Sequence, residues 1–477
     1  MDTRFVDALR AVVGPAGLVT EAARRKPYES DGLAYLKRMP ELVVLPRDTR
    51  QCAAVMKLCA ERSIPVVARG AGTGLSGGAT PVERGVVIGL ARMRDVLEVN
   101  VEERYARVQA GVVNADLSLA VAPHGLFYAP DPSSQKACTL GGNVAENSGG
   151  PHCFRHGATT RHVEGLVIVT AQGDVLDLAR PRVDPDGFDL VGLFVGSEGL
   201  FGLATEVTLK LTPIPPVTET LLAIYTSLEA ACQAVSRIIA EGLEPSALEI
   251  LDKLTIEAVE ASVLAAGYPK DAEAVLLVEV EGSEAEVAAT TRALEPILRS
   301  FGAFELRRAR DAQERMRLWA GRKGAFGAMG RIAPDLYVID AVVPRTKLAA
   351  LVQATTEICR ARRLKLANVF HAGDGNLHPN ISYDRRDADE LARVVDAGHE
   401  ILKVCIAHGG SLTGEHGVGL EKLDAMEWLF SHDDLAAMCR VKEAWDPERR
   451  MNPGKLIPVR ACMETRAAHA HEREAAP

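Results

Sequence analysis

The sequence predicts an α+β fold in two successive parts, and three observations carry that prediction. Short apolar runs separated by glycine-rich loops crowd the first half, with few long helical patterns among them. A proline-rich stretch, LTPIPPV at residues 211–217, then interrupts the chain, because proline denies a ladder its donors and stiffens a linker. Beyond it, strand and helix patterns alternate.

In the first part the β-branched runs at residues 41–45, 64–68, 85–90, 96–101, 106–111, 163–170 and 204–211 read as strands. A helix is expected at residues 49–62, preceded by Pro46 and a capping-type Asp48. After the break, strands are expected at residues 220–225, 274–281, 336–343 and 366–383, and helices at 228–241, 284–300 and 346–363. That alternation suggests two ferredoxin-like halves sharing one antiparallel sheet. A helix at residues 388–407 and a glycine-rich strand-loop follow, and MNPGKLIP from Met451 closes the ordered chain. The expected domains are residues 1–215, 216–410, a segment 411–461 that returns to the first domain, and a flexible tail 462–477.

Composition narrows the function. The 477 residues are 47% hydrophobic and 25% charged, the profile of a soluble globular protein with a sizeable core. A net charge of -9 repels phosphate backbones, so no nucleic-acid partner is expected. No apolar run reaches the ~18 residues of a spanning helix. The amino terminus mixes Asp2, Arg4, Asp7 and Arg10 into its apolar residues, so the reading is a cytoplasmic, unprocessed protein. Nine cysteines with no CxxC argue against a disulfide framework, a zinc ribbon and an iron–sulfur cluster. Any one-electron relay must then lie on another chain.

The first informative motif is PVVARGAGTGLSGG, residues 65–78. A strand ends at Ala68, and Gly70, Gly72, Gly74, Gly77 and Gly78 strip side chains from the turn so that several backbone N–H groups can face one anion, with Arg69 adding positive charge. No helix follows at once, as a Rossmann loop requires, and no Lys-Ser/Thr pair completes a P-loop. Taken alone, the run also suits a plain tight loop. The second element, DPSSQKACTLGGNVAENSGG from Asp131 to Gly150, offers Ser133, Thr139, Asn143 and Asn147 as neutral groups able to read a heterocycle's edge. A third, VGSEGLFG, sets Gly196, Gly199 and Gly202 before a strand.

In this order the three loops resemble the flavin-binding domain of the vanillyl-alcohol oxidase and p-cresol methylhydroxylase superfamily, the PCMH type. With the second half included, residues 28–458 resemble the family of glycolate oxidase D subunits and FAD-linked D-2-hydroxy acid dehydrogenases. The resemblance implies an FAD-binding domain, an antiparallel substrate or cap domain, and FAD held by Arg69, Gly70, Ala71, Gly72, Thr73, Gly74 and Ser76 in the first loop. The same resemblance implies contacts from Pro130, Asp131, Thr139, Gly142, Asn143, Asn147, Gly149, Gly157, Glu198, Gly202 and Asn452. Some superfamily members tether flavin through a histidine in the first loop; Thr73 and Ser76 stand there, so non-covalent FAD is expected.

Two stretches in the second half carry the remaining chemistry, NVFHAGDGNLHPNI with His371 and His378, and HGGSLTGEHGVGLEK with Glu415 and His416. A turn on Gly373, Asp374 and Gly375 brings the first two imidazoles alongside each other. With Glu415 they form a two-histidine, one-carboxylate set that leaves a divalent metal open positions, though a lone histidine is more often a hydrogen-bonding core residue. Arg322 in LWAGRKGAF can grip a carboxylate with two parallel hydrogen bonds, or lie solvated on a helix face. The resemblance implies that His371, His378 and Glu415 bind the metal, zinc with manganese or iron as alternatives, that His416 is the base, and that Arg322 holds substrate carboxylate. Relatives with larger substrates carry a further basic residue where this chain has Tyr337, Val338 and Ile339, which favours glycolate or D-lactate.

The expected function is oxidation of a small 2-hydroxy acid to the 2-oxo acid by the catalytic subunit of a glycolate oxidase complex. The resemblance also implies a flavoprotein-like subunit and an iron–sulfur subunit as partners, bringing the chain to the inner face of the membrane. The alternatives are a stand-alone FAD-linked D-lactate dehydrogenase and a non-catalytic flavin-binding subunit.

Overall fold

Val, Ile and Leu form the strands, and in the buried ones both faces of the pleat are apolar. The computed structural model describes residues 1–178 and 187–463. Positions 464–477 of the expected flexible tail lie outside the described residues. Two compact units emerge: the first takes Met1–Ser148, Ala158–Ile214 and the chain from Glu415 onward, and the second takes Gly149–Gly157 and Pro215–Gly414.

In the first unit, β1 (Leu18–Val19), β2 (Leu42–Val44), β3 (Val66–Arg69) and β4 (Val86–Gly89) form a sheet in the order β1-β2-β4-β3, with β2, β4 and β3 parallel. The crossover between β2 and β3 is the helix Thr49–Ala60, which Asp48 starts by accepting from the Gln51 N–H. Its Cys52, Val55, Met56 and Cys59 pack against Val44, Val66 and Ile88 in one apolar cluster. The chain next lays down β5 (Val96–Asn100), β6 (Tyr105–Gln109), β7 (Leu126–Phe127), β8 (Val163–Val169), β9 (Val175–Leu178), β10 (Leu203–Lys210) and β11 (Thr212–Pro213). Five of them form an antiparallel sheet, β5-β6-β10-β8-β9, and β7 pairs with β11.

The second unit has ferredoxin-like topology twice over. β12 (Val217–Tyr225), β13 (Ala247–Asp252), β14 (Ala274–Gly282) and β15 (Glu305–Arg308) lie in the order β15-β12-β14-β13, crossed by the helices Leu228–Ala240 and Glu284–Ser300. A capping box, Ser283 with Glu286, starts the second of these helices. The other half uses β16 (Asp335–Val338), β17 (Ala341–Val342), β18 (Lys365–His371), β19 (Asn376–Leu377) and β20 (Pro379–Tyr383), with the helices Leu348–Ala361 and Ala388–Ala407. β13 and β18 join the halves, and every pairing in this unit is antiparallel.

The structure departs from the sequence reading in several places, among them the strand expected at 336–343, which is split into β16 and β17. The expected hairpin forms, but its returning strand from Asn376 is split: β19 and β20 part at His378, because Pro379 has no N–H to continue the ladder. Strand β13 and the helices Thr3–Val13, Asn114–Val121, Lys253–Glu260, Ala312–Lys323 and His432–Trp445 go beyond the sequence expectations; β13 is a short run interrupted by Glu249 and closed by Asp252, and Ala312–Lys323 is too polar to show an apolar stripe. Finally, Cys439 and Cys462 form a disulfide, against the expectation drawn from the spacing, whereas six of the other cysteines are buried as small hydrophobes.

Candidate active site

β3 ends at Arg69 and the glycine run follows directly. From Ala71 to Gly78 no backbone N–H is taken by another group among the described residues, so a row of donors is left for an anion. Glycine is required where this loop meets its neighbours. A Cβ on Gly70 would lie 2.3 Å from Thr139 Oγ1 of the second loop, and one on Gly72, at φ +73°, would lie 2.1 Å from Arg69 Nη2. Arg69 Nη1 donates to Ser30 O at 2.8 Å and Nη2 to Pro27 O at 3.2 Å, so the guanidinium also braces the loop against the preceding segment. Gly74 and Ser76 bind neighbours through their carbonyls, Gly74 O accepting from Gly32 N at 2.7 Å and Ser76 O from Leu420 N at 2.8 Å and Glu421 N at 3.0 Å.

In the second loop Thr139 caps the helix Leu140–Glu146 by accepting from Gly142 N. Asn143 was expected to read a ring edge. Instead it is satisfied internally, accepting from Asn114 Nδ2 at 3.0 Å and donating to Ser148 Oγ at 3.2 Å, because a buried amide must find partners. Asn114 also donates to Pro130 O, ahead of the buried Asp131. Asn147 ends the helix in the left-handed region, φ +51°, and its Oδ1 accepts from Thr160 N. Gly149 and Gly157 bound the segment that belongs to the second unit. In the third loop Gly202, at φ +143°, comes so close to β8 that a Cβ would lie 2.5 Å from Val169 O.

The loop that carries Glu415 and His416 is fastened to the first and third glycine loops. Beyond its links to Ser76, Glu198 accepts from Val418 N and Gly419 N, each at 2.7 Å. Glu198 sits at φ +49°, and its carbonyl takes Asn452 Nδ2 at 2.7 Å. Both expected cofactor residues, Glu198 and Asn452, therefore use these polar atoms to hold loops together. A Cβ on Gly417, φ +82°, would lie 2.4 Å from Glu146 Oε2 and 2.8 Å from Glu198 Oε1, so two carboxyls share the space beside that glycine. Burial, then the charges of Glu198 and Asp31, push Glu146 well above the usual carboxylate range. Lys455 Nζ lies beside them, and burial pushes it down to about 7. Glu415 Oε1 and His416 Nε2 are 3.9 Å apart.

In the second unit the sheet register builds the other cluster. With Asn368 opposite Pro379 and His371 opposite Asn376, His371 and His378 share one face as diagonal neighbours, their ring centroids 5.1 Å apart and nearly perpendicular. Across the seam, Glu249 of β13 stands directly opposite His371. Its Oε1 is 2.8 Å from His371 Nδ1, and its Oε2 accepts from Arg322 Nε at 2.6 Å and Nη2 at 2.5 Å. Arg322 and Glu249 are both fully buried. Arg322 occupies the last turn of the helix Ala312–Lys323, and its Nη1 has no partner among the described residues. Asp340, also buried, accepts from Thr413 Oγ1 at 2.5 Å and Gly414 N at 2.8 Å, and its Oδ1 lies 3.9 Å from His378 Nδ1.

Arg322, His371 and His378 are thus brought together in the second unit, and Glu415, His416 and the first and third glycine loops in the first. The sequence reading missed Glu249, Asp340, Glu146 and Lys455. An acid in the middle of an apolar run, Glu249 in ALEILD, is the available signal, because an acid there needs a buried cation or donor.

Residues 40–179 match the family described as FAD binding domain, and residues 214–456 match FAD linked oxidases, C-terminal domain. The chain is 48% identical over 446 residues to glycolate oxidase subunit GlcD of Escherichia coli (strain K12), spanning 93% of this chain and 89% of that protein. It is 33% identical over 453 residues to D-lactate dehydrogenase of Anaerostipes hadrus, spanning 93% and 95%. Among solved structures, p-cresol methylhydroxylase with substrate bound shares the fold, with a TM-score of 0.81 at 18% identity over 95% of this chain and 96% of that one.

Proposed function

The chain belongs to the FAD-linked oxidase family, and from that premise we propose that it oxidises a small 2-hydroxy acid, glycolate foremost, to the 2-oxo acid. One observation carries the reading: a fully buried guanidinium whose Nη1 has no partner among the described residues, beside a pair of histidines, an arrangement suited to a carboxylate next to ligands for a cation. The relatives named glycolate oxidase subunit and D-lactate dehydrogenase support the substrate class.

The row of free N–H groups after Ala71 fits the pyrophosphate of FAD. When bound, FAD supplies the two-electron acceptor. For a divalent metal, zinc first, the proposed ligands are His371, His378 and Glu415. Two features support that set: the histidines share one face, and Glu415 follows Gly414, which Asp340 anchors. When bound, such a metal supplies Lewis acidity toward the substrate hydroxyl. Arg322 grips the substrate carboxylate through Nη1 and so fixes which face of Cα is presented. His416 takes the hydroxyl proton on a ring nitrogen, a task suited to a group whose unperturbed pKa is about 6.5.

Anaerobic addition of glycolate is expected to bleach the flavin absorbance of the purified protein, with D-lactate next and L-lactate inert. His416→Ala is expected to keep FAD and lose the bleaching. No bleaching by any 2-hydroxy acid, or fast bleaching in the variant, overturns the proposal. The likeness to a protein named D-lactate dehydrogenase favours a second reading, in which D-lactate bleaches faster than glycolate. We propose further that electrons leave through flavoprotein-like and iron–sulfur partner subunits, so the isolated chain reduces dyes well and oxygen poorly. The relative's designation as a subunit supports this.

A further inference from the structure

We infer that Glu249 is the positioning residue of this site, setting the tautomer of His371 and the orientation of Arg322 with one carboxylate. The inference rests on the reading of His371 as a metal ligand and of Arg322 as the substrate clamp. Its geometry comes from the sheet: the β13 and β18 register places Glu249 opposite His371, and both side chains leave the same face.

The hydrogen-bond inventory then assigns the protons. Both oxygens of Glu249 lie near His371 Nδ1, at 2.8 and 3.1 Å, and the same carboxyl accepts from Arg322 Nε and Nη2, so it meets Nδ1 as an acceptor and Nδ1 carries the hydrogen. Arg322 Nη2, 3.3 Å from that nitrogen, is itself a donor and cannot supply the proton's partner; both donors turn to the same carboxylate. With the hydrogen on Nδ1, the neutral ring carries its lone pair on Nε2, the form a metal takes. On the arginine, Nε and Nη2 are held, so Nη1 remains as the edge that can meet a substrate carboxylate. Glu249 thereby couples the site for the hydroxyl to the site for the carboxylate. The pair is fully buried, and removing one member strands the other's charge.

The test uses full-length FAD-loaded protein labelled with ¹⁵N-histidine, and Zn²⁺ as the metal probe. Without metal or substrate, the His371 resonance, assigned by its loss in His371→Asn, is expected to report the Nδ1–H tautomer in wild type. In Glu249→Gln, whose amide places a donor against either Arg322 or His371, it is expected to report a mixture. Zn²⁺ affinity is expected to fall roughly 10–100-fold with FAD content unchanged. Should that variant not fold, Glu249→Leu/Arg322→Met removes both charges together and is expected to show the same tautomer mixing. An unchanged tautomer and unchanged Zn²⁺ affinity in the variant that folds would overturn the inference. The tautomer is read with neither metal nor substrate present, so it stands even where the proposed oxidation fails; conversely, wild type that bleaches with glycolate while Glu249→Gln keeps its tautomer overturns only the role of Glu249.

Discussion

Lys455 Nζ donates to Gly78 O at 2.7 Å, Thr80 O at 2.6 Å and Asn452 Oδ1 at 2.7 Å, so one amine ties the first glycine loop to the carboxy-terminal segment. Burial pushes its pKa from 10.5 to about 7, against the pull of Asp31, Glu146 and Glu198. The sign follows from proton counting. Between pH 7 and 10.5 the unfolded chain holds a proton on this amine that the folded chain has lost, so its contribution to stability rises with pH, by up to about 1.4 kcal/mol per unit. Lys455→Met is therefore expected to cost more stability at pH 9 than at pH 7, measured by urea unfolding at each pH; an equal loss at both would contradict the shifted amine. At this scale the sequence showed where Gly70 and Gly72 must be glycine but not Lys455 or Glu249, because burial of a charge depends on neighbours distant in the chain.

The segment Gly149–Gly157 shows how an element takes its role from its contacts. It follows the second glycine loop in sequence yet belongs to the second unit, where His152, just before the short helix Cys153–His156, and His156 at its end meet Glu279 and Glu281 of β14 at 3.0 and 2.5 Å. Phe154 lies against Gly373 in the turn between His371 and His378, where a Cβ would come within 3.0 Å of its ring, and Arg345 covers the other contact by donating to Gly373 O. Burial pushes Glu279 up, but hydrogen bonds from His152, Thr220 and Trp319 outweigh it and hold the carboxyl below its usual range. A depressed carboxyl contributes stability that is present above its unfolded pKa and lost as pH falls through the folded value. His152→Ala is expected to cost about 1–3 kcal/mol near neutrality. The loss should shrink below about pH 4 as Glu279 protonates. Thermal unfolding of both proteins across that range checks it, and a loss independent of pH would exclude the pairing. Most strands are legible from their periodicity, as are the helices Thr49–Ala60, Leu228–Ala240, Glu284–Ser300, Leu348–Ala361 and Ala388–Ala407. β13 is not, since its Glu249 and Asp252 are buried among distant partners, and the helix Ala312–Lys323 is not, since it is polar nearly all round apart from the buried Leu318, Gly321 and Arg322.

At the scale of the whole molecule, each unit has its own apolar cluster, one around Val44, Val66 and Ile88 and the other around Leu251, Val275 and Val369. The three glycine loops belong to the first, apart from the residues from Gly149 onward that the second takes. Excess FAD is expected to stabilise that unit of the flavin-free protein by about 2.7 kcal/mol at a hundredfold excess over Kd. Fluorescence of Trp445, stacked on Phe201 in the first unit, would follow the shift, and its absence would remove the glycine loops as the cofactor site. By itself the sequence determined the α+β class, the spacing of the three glycine loops, and the histidine hairpin, because turns and strand periodicity are written in local residue order. Only the tertiary structure decided that Glu249 faces His371, that Arg322 is buried rather than solvated, and that Asn143 and Arg69 hold loops in shape. Those outcomes depend on which strands become neighbours in the sheet and on which polar atoms burial obliges to find partners, and neither is encoded within a short stretch of chain.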